Sequence, residues 1–153
     1  MSDTQYMSQD KKEQLEAESK ELKEIKSPQL RKRIDEARQM GDLSENAEYH
    51  AAREELAWVQ SRTKEIQSIL DNAEIISDSH DIESINIGST IMIKVGGKEK
   101  EYTIVGAQEA NPLQGKISNE SPLGSSFLGK KKGDEVEIEV PSGLQTYKIT
   151  KII

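Results

Sequence analysis

The chain has no cysteine and is poor in aromatic and other apolar residues. Its 153 residues include one Trp, one Phe and four Tyr, and 33% of them are hydrophobic. The absence of cysteine excludes disulfide bonds and thiolate metal sites. So few apolar residues argue against one large core. They favour a protein with an elongated region, in which a thin apolar seam takes the place of a globular core.

The sequence also lacks long apolar runs and a basic charge balance. No run approaches the roughly 20 apolar residues that span a membrane as a helix, and no secretory signal opens the chain. We therefore expect a soluble cytoplasmic protein with no membrane partner. The formal net charge of −7 argues against unaided binding to DNA, because generic affinity for phosphates requires a basic surface.

Charge and residue type both change near the middle of the chain. Residues 1–80 carry 18 acidic and 12 basic side chains, whereas residues 81–153 carry 10 and 9. Helix formers dominate up to about residue 72, and alternating Ile, Val and Gly follow. The sequence predicts an α+β fold with two domains, a helical hairpin over 1–76 and a β-rich domain over 77–153.

Two helical stretches flank a turn at residues 41–45. Apolar residues recur in both at steps of three and four, which indicates a coiled coil. Folding the stretches back about the turn pairs positions whose numbers have a nearly constant sum. The pairs are Leu15 with Leu70, Leu22 with Thr63, Ile25 with Val59, Leu30 with Leu56, Ile34 with Ala52 and Ala37 with Tyr49. We expect an antiparallel coiled-coil hairpin with a kink or break at Ser27-Pro28, where Ser can cap and Pro can open a renewed helix.

The turn carries two carboxylates whose purpose is ambiguous. Asp42 lies in the turn, and Glu45 is expected to open the second helix. One interpretation is helix capping, because Asp42 and Ser44 are good N-caps and the segment from Asp42 to Glu45 resembles a capping box. The other is a functional acidic tip, since two carboxylates can form half of a Mg²⁺ site that a partner completes. Spacing alone favours capping.

The stretch GDLSENAEYHAARE (41–54), with EAR (36–38) before it, resembles the tip signature of the bacterial Gre transcript-cleavage factors, and of the GreA branch in particular. LDNAEIISD, INIGSTIMI, EYTIVGAQEA and ISNESPLGSSFLGKKKGDEVEIEVPSG extend the resemblance over nearly the whole chain. The resemblance implies a transcription elongation factor that inserts its coiled coil into the secondary channel of bacterial RNA polymerase. Such factors are not enzymes alone; they activate the polymerase's own cleavage of nascent RNA in backtracked complexes.

The resemblance also assigns roles to particular residues. The family's two catalytic tip acids fall on Asp42 and Glu45, which would help hold a Mg²⁺ shared with the polymerase active centre and not bound stably by the chain alone. Arg38 and Arg53 match a small basic spot near the RNA 3′ end, although they could instead balance nearby Glu side chains. We expect Tyr49 to be a seam residue.

The second domain is predicted to be a small antiparallel sheet with one short helix. Alternating residues indicate strands at 91–95, 101–105, 135–140 and 146–153. A helix is expected to begin at Ser121-Pro122 and to continue through Phe127. The resemblance makes this domain FKBP-like and assigns it to docking on the polymerase at the rim of the channel, with Ser121, Pro122 and Leu123 as the contacting residues.

Three alternatives stay open. One is an inhibitor that occupies the polymerase channel without stimulating cleavage, but retention of both Asp42 and Glu45 argues against it. A non-catalytic coiled-coil adaptor would use the acids only as a helix cap, and it should tolerate neutral substitutions there. A free-standing nuclease would need activity without polymerase. Since the hairpin closes its own seam, we expect a monomer.

Overall fold

The structure is a computed structural model that describes residues 3–77 and 82–153. Over these residues the helices are α1 (Gln9–Glu21), α2 (Ser27–Arg38), α3 (Ala47–Asp71) and α4 (Pro122–Phe127). The strands are β1 (Gln5–Met7), β2 (Ala73–Ile75), β3 (Thr90–Val95), β4 (Lys98–Val105), β5 (Lys116–Ser118), β6 (Glu135–Val140) and β7 (Gly143–Ile152). None of the helices in these ranges is long and apolar enough to cross a membrane. The predicted α+β class is confirmed.

The chain forms two compact units, Lys12–Asn72 and Met1–Lys11 together with Ala73–Ile153. These bounds differ from the predicted division after residue 76, because β1 pairs in parallel with β2. The N–H of Ile76 extends this pairing by donating to the carbonyl of Met7 at 2.9 Å. Pairing of strands so distant in sequence leaves no periodic signal, so the first residues could not be assigned to the second unit from the sequence.

The helical unit is an antiparallel coiled-coil hairpin, as predicted. Its first arm contains residues 12–21 of α1, a π-helical turn at Leu22–Lys26 and α2; its second arm is α3. The arms meet along a narrow seam of buried side chains. They are Leu15, Ser19, Leu22, Ser27, Leu30 and Ala37 on the first arm, and Tyr49, Ala52, Val59, Ile66 and Ile69 on the second.

At Ser27-Pro28, where we expect a kink or a break, the helix does not break but passes through a π-helical turn, an irregularity of the kind at which helices kink. The N–H of Ser27 donates to the carbonyl of Leu22, five residues back, and helix α2 begins without a side-chain cap. Pro28 has no N–H, and in a regular α-helix its ring would clash with the carbonyl four residues back, which the wider turn relieves. The extra residue brings Ser27 into the seam and leaves Ile25 53% exposed. The predicted pairing of Ile25 with Val59 is therefore wrong.

The second unit contains a five-stranded sheet in the order β5-β4-β3-β7-β6. The pairs β3–β4, β3–β7 and β6–β7 are antiparallel, but β5 runs parallel to β4. The predicted antiparallel arrangement is confirmed for β3, β4, β6 and β7, and the parallel edge strand β5 was not predicted. Two short 3-10 turns, Ala107–Glu109 and Pro112–Gln114, carry the chain from β4 to β5, and such irregular turns leave no periodic pattern to predict from.

The core of this unit lies between the sheet and α4. Phe127, at the end of α4, is fully buried, and its ring makes an edge contact with Tyr147 at a centroid distance of 5.9 Å. As predicted, α4 begins after Ser121 with Pro122 in its first turn, and the Ser121 hydroxyl accepts a hydrogen bond from the N–H of Gly124 at 3.0 Å. The core also contains Ile85, Ile91, Ile93, Ile104, Ile117, Val136, Ile149 and Ile152.

Candidate functional site at the hairpin turn

The turn between α2 and α3 exposes the carboxylates of Asp42 and Glu45. One oxygen of Asp42, Oδ1, accepts hydrogen bonds from the N–H of Ser44 at 3.0 Å and from its hydroxyl at 2.8 Å. This is an Asx-turn, in which a short side chain stabilises the backbone that follows it. Gly41 precedes it with φ +129°, a conformation that residues with a Cβ rarely adopt. The turn therefore fixes the direction of the Asp42 carboxylate.

The two acids differ in how firmly they are held. The hydrogen bonds from the Ser44 hydroxyl and, second, from its N–H lower the pKa of Asp42 below its ordinary value, because both stabilise the ionised form. Glu45 is exposed, and its carboxylate accepts no hydrogen bond from the residues that the structure describes. The turn thus presents one oriented carboxylate and one that is free to reorient.

Helix α3 is capped by Asn46. Its Oδ1 accepts from the N–H of Tyr49 at 3.0 Å, and its Nδ2 donates to the carbonyl of Ala37 on the opposite arm at 2.6 Å. The capping interpretation of Asp42 is therefore wrong, and Glu45 precedes the helix rather than opening it. Sequence reasoning missed Asn46, although Asn is among the preferred N-caps and directly precedes the helix.

Arg38 and Arg53 line one groove of about 380 Å³ on the hairpin, together with Tyr49. Arg53 donates from Nη1 to the Tyr49 hydroxyl at 3.5 Å, and its guanidinium carbon lies 5.4 Å from the centre of the tyrosine ring. Neither arginine forms an ion pair within 3–77 and 82–153, and Glu48 pairs with Arg33 at 2.9 Å. The two charges are available to an anion, and Tyr49 is a buried seam residue, as predicted.

The turn exposes oxygen atoms of the kind that bind hard metal ions. Carboxylate oxygens are the ligands that Mg²⁺ prefers, and Asp42 and Glu45 both expose them. In the described part of the chain, no group of three or more His, Cys, Asp or Glu side chains could hold a metal ion. The donor set therefore fits the half-site interpretation, in which the remaining ligands come from a partner.

The predicted docking residues lie at the start of α4. Ser121 is its N-cap, Pro122 is exposed, and Leu123 packs partly against the core. Ser121 and Leu123 thus have structural roles in the fold, and Pro122 is the most accessible of the three residues. Their docking role stays a prediction.

Comparison with known proteins finds relatives that match this chain over most of its length. Residues 5–75 match the family described as "Transcription elongation factor, N-terminal" and residues 79–153 match "Transcription elongation factor, GreA/GreB, C-term". The chain is 43% identical over 148 residues to the transcription elongation factor GreA of Bacillus velezensis, covering 95% of this chain and 94% of that protein. It is 46% identical over 142 residues to GreA of Lachnoclostridium phytofermentans, covering 91% and 89%.

Among solved structures, the chain is similar to the GreA factor homolog 1 protein of Thermus thermophilus. The match has 24% identity and a TM-score of 0.46, and it covers 98% of this chain and 99% of the other. Both domain matches show the same family, and so do the GreA relatives, which are more than 40% identical to this chain over nearly its full length. The chain belongs to the GreA/GreB family of transcription elongation factors.

Proposed function

We propose that this protein stimulates the cleavage of nascent RNA by RNA polymerase in backtracked elongation complexes, with its helical hairpin inserted into the secondary channel. One observation carries the proposal: Asn46 caps α3, so the helix does not require Asp42 or Glu45. Acids at an exposed turn that serve neither capping nor ion pairing are available to a partner's active centre. The elongation-factor names of the relatives support the polymerase as that partner.

The two acids take different parts in the reaction. A Mg²⁺ ion in the polymerase active centre would activate water and neutralise charge that develops on the scissile phosphate. Asp42, whose Oδ1 is bound by Ser44, and Glu45 would each offer a carboxylate oxygen to such an ion. Because two carboxylates do not complete a magnesium site, the protein has no hydrolytic activity alone.

The basic pair and the second unit provide binding rather than chemistry. Arg38 and Arg53 contact phosphates near the RNA 3′ end, where a guanidinium can form two parallel hydrogen bonds to phosphate oxygens. The start of α4, at residues 121–123, contacts the polymerase at the rim of the channel. One copy of the protein is sufficient, because the hairpin closes its own seam.

The test is RNA cleavage in stalled, backtracked complexes supplied with Mg²⁺. Wild type is compared with Asp42→Asn and Glu45→Gln, and with Asp35→Asn as a matched control, since Asp35 is an exposed carboxylate on α2 outside the turn. We expect wild type and the control to accelerate cleavage equally. Each turn variant should lose about 100-fold of the stimulation, the usual scale for one lost charge-stabilising group. A competition assay checks that the variants still bind polymerase.

Three results would contradict the proposal. Turn variants that stimulate as well as wild type would make the acids dispensable and favour the adaptor. A wild-type protein that binds polymerase without accelerating cleavage would instead be a regulator that occupies the channel. Cleavage of RNA without polymerase would revive the free-standing nuclease.

A further inference from the structure

The hairpin turn has few contacts of its own that fix its path. Every residue from Arg38 to Glu45 is exposed, so side-chain packing does not hold this segment in place. The hydrogen bonds between Asp42 and Ser44 lie within the turn and connect neither helix to the other. In the described part of the chain, no side chain of residues 41–45 forms a hydrogen bond or an ion pair with α2 or α3. The positions of the two acids therefore depend on what connects α2 to α3 at the base of the turn.

Asn46 makes this connection with a single side-chain amide. Its Oδ1 accepts from the N–H of Tyr49 in the first turn of α3 at 3.0 Å, and its Nδ2 donates to the carbonyl of Ala37 in the last turn of α2 at 2.6 Å. Asn46 is half-buried, whereas the residues between it and Ala37 are all exposed. Because the first N–H groups and the last carbonyls of a helix lack partners within it, one amide serves the ends of both helices.

An amide at this position does more than capping requires. Asp and Ser cap helices about as well as Asn does. A carboxylate, however, accepts hydrogen bonds without donating any, and a hydroxyl has one oxygen on a shorter side chain. The amide of Asn carries its donor and its acceptor on separate atoms, and here each atom bonds a different helix. Capping of α3 therefore does not explain the bond to Ala37.

We propose that Asn46 is a positioning residue, whose bond across the arms holds the turn so that Asp42 and Glu45 enter the polymerase active centre in one arrangement. This inference rests on the cleavage function proposed above and adds a residue that touches neither RNA nor metal. Glu45 directly precedes Asn46, and Asp42 lies four residues before it, so a shift of Asn46 moves both acids. The bond restricts such shifts because it closes a loop whose ends are nine residues apart. A misplacement of about 1 Å can slow a catalysed reaction about 100-fold.

The experiment compares variants that keep the cap with a control elsewhere in the hairpin. Asn46→Ser keeps an oxygen that can cap α3 and removes the donor to Ala37. Asn46→Asp also keeps the cap and removes the donor, so it repeats the test with a different side chain. The matched control is Ile66→Val, which removes one methyl group from the buried seam and lowers the stability of the hairpin away from the turn. Circular dichroism verifies that each variant is folded.

The first measurement is RNA cleavage in backtracked complexes over a range of protein concentrations, which separates the maximal stimulation from the half-saturating concentration. We expect Asn46→Ser and Asn46→Asp to lose about tenfold of the maximal stimulation at an unchanged half-saturating concentration, because the surfaces that bind polymerase are intact. Ile66→Val should match wild type in both quantities. If the two Asn46 variants stimulate as well as wild type, or if Ile66→Val loses as much as they do, the proposal is wrong.

The second measurement is NMR relaxation of the backbone amides of the turn in the free, full-length protein. The order parameters of residues 43–45 should fall from about 0.85 in wild type and in Ile66→Val to below about 0.6 in Asn46→Ser. A turn that is as well ordered in Asn46→Ser as in wild type overturns the proposal. This measurement uses no polymerase, so it tests Asn46 independently of cleavage. A wild-type protein that fails to stimulate cleavage contradicts the proposed function, whereas an unchanged order parameter contradicts the role of Asn46.

Discussion

The two compact units use their apolar residues in different ways. The helical unit buries a single file of small and medium side chains between its arms, so its surface and its turn are largely free of structural tasks. The second unit encloses a cluster around Phe127, Tyr147 and the isoleucines of the sheet. A seam permits a slender element whose end can enter a narrow space, whereas a closed core resists substitution. Stability and activity should therefore depend on different parts of the chain.

The largest expected effect on stability is in the closed core. Phe127→Ala removes a fully buried ring that contacts Tyr147 and Tyr102, at centroid distances of 5.9 and 6.5 Å. Lost burial and the resulting cavity should lower the free energy of unfolding by about 3–5 kcal/mol. Denaturant unfolding followed by circular dichroism measures this change. Phe127→Leu, which leaves a smaller cavity, should cost clearly less, and equal losses for the two variants would mean that the site collapses or does not pack as described.

A smaller loss of stability is expected where β1 packs against Gly106 within the second unit. Gly106 is buried, and a Cβ at this position would clash with the carbonyl oxygen of Tyr6. Gly106→Ala must therefore displace β1 from its place in the second unit, at a cost of about 1–3 kcal/mol, the usual range for overpacking. Thermal unfolding measures the cost. Ala110→Ser, at an exposed position in the same loop, is the control and should be neutral. An unaffected Gly106→Ala variant would show that β1 does not pack here.

The next prediction separates the cap from the acids at the turn. Asn46→Ala removes both the bond to the N–H of Tyr49 and the bond to the carbonyl of Ala37, so it should destabilise the protein by about 1–2 kcal/mol. Asp42→Asn should change stability much less than Asn46→Ala, since the carboxylate of Asp42 is fully exposed. Chemical denaturation of the two variants tests the contrast. If Asp42→Asn lowers stability more than Asn46→Ala does, then Asp42 rather than Asn46 caps α3.

The sequence was sufficient for features that repeat along the chain. The heptad stripe predicted the hairpin, and alternation predicted β3, β4, β6 and β7, since helices and strands place side chains with fixed periods. Local chemistry also predicted the start of α4 at Ser121-Pro122. The predictions that failed concern features that depend on a single residue or on pairing between residues distant in sequence. Ile25 was misplaced because one extra residue in the π-helical turn rotates the seam, and β1–β2 and β4–β5 pair through contacts that no local pattern encodes.

The candidate site was predicted in part for the same reason. Resemblance to a family identified Asp42 and Glu45, but spacing suggested that they cap α3, since Asp and Ser are as good caps as Asn. Only the three-dimensional structure shows which of three neighbouring residues, Asp42, Ser44 or Asn46, is the N-cap of α3. Asn46 reaches both the N–H of Tyr49 and the opposite arm, and no other side chain of the turn does so within the described residues.

The smallest predicted effect concerns the bond that orients Asp42. Ser44→Ala removes the hydroxyl donor, which is the larger cause of the lowered pKa, and keeps the N–H donor, which is the smaller. The pKa of Asp42 should therefore rise part of the way towards its ordinary value. Carboxyl-detected NMR titration of Asp42 measures this shift. An unchanged pKa would mean that the hydroxyl does not bond the carboxylate in solution.

The direction of the pKa shift sets the pH range in which this bond acts. A folded-state pKa below the unfolded value stabilises the fold above the unfolded pKa, and this contribution disappears as the pH falls through the folded pKa. At neutral pH Asp42 is ionised in wild type and in Ser44→Ala alike, so the variant changes only the orientation of the carboxylate. Cleavage stimulation should then fall a few-fold at most, far less than in Asp42→Asn. A loss as large as that of Asp42→Asn would show that the bond from Ser44, as well as the charge, is essential to the acidic turn.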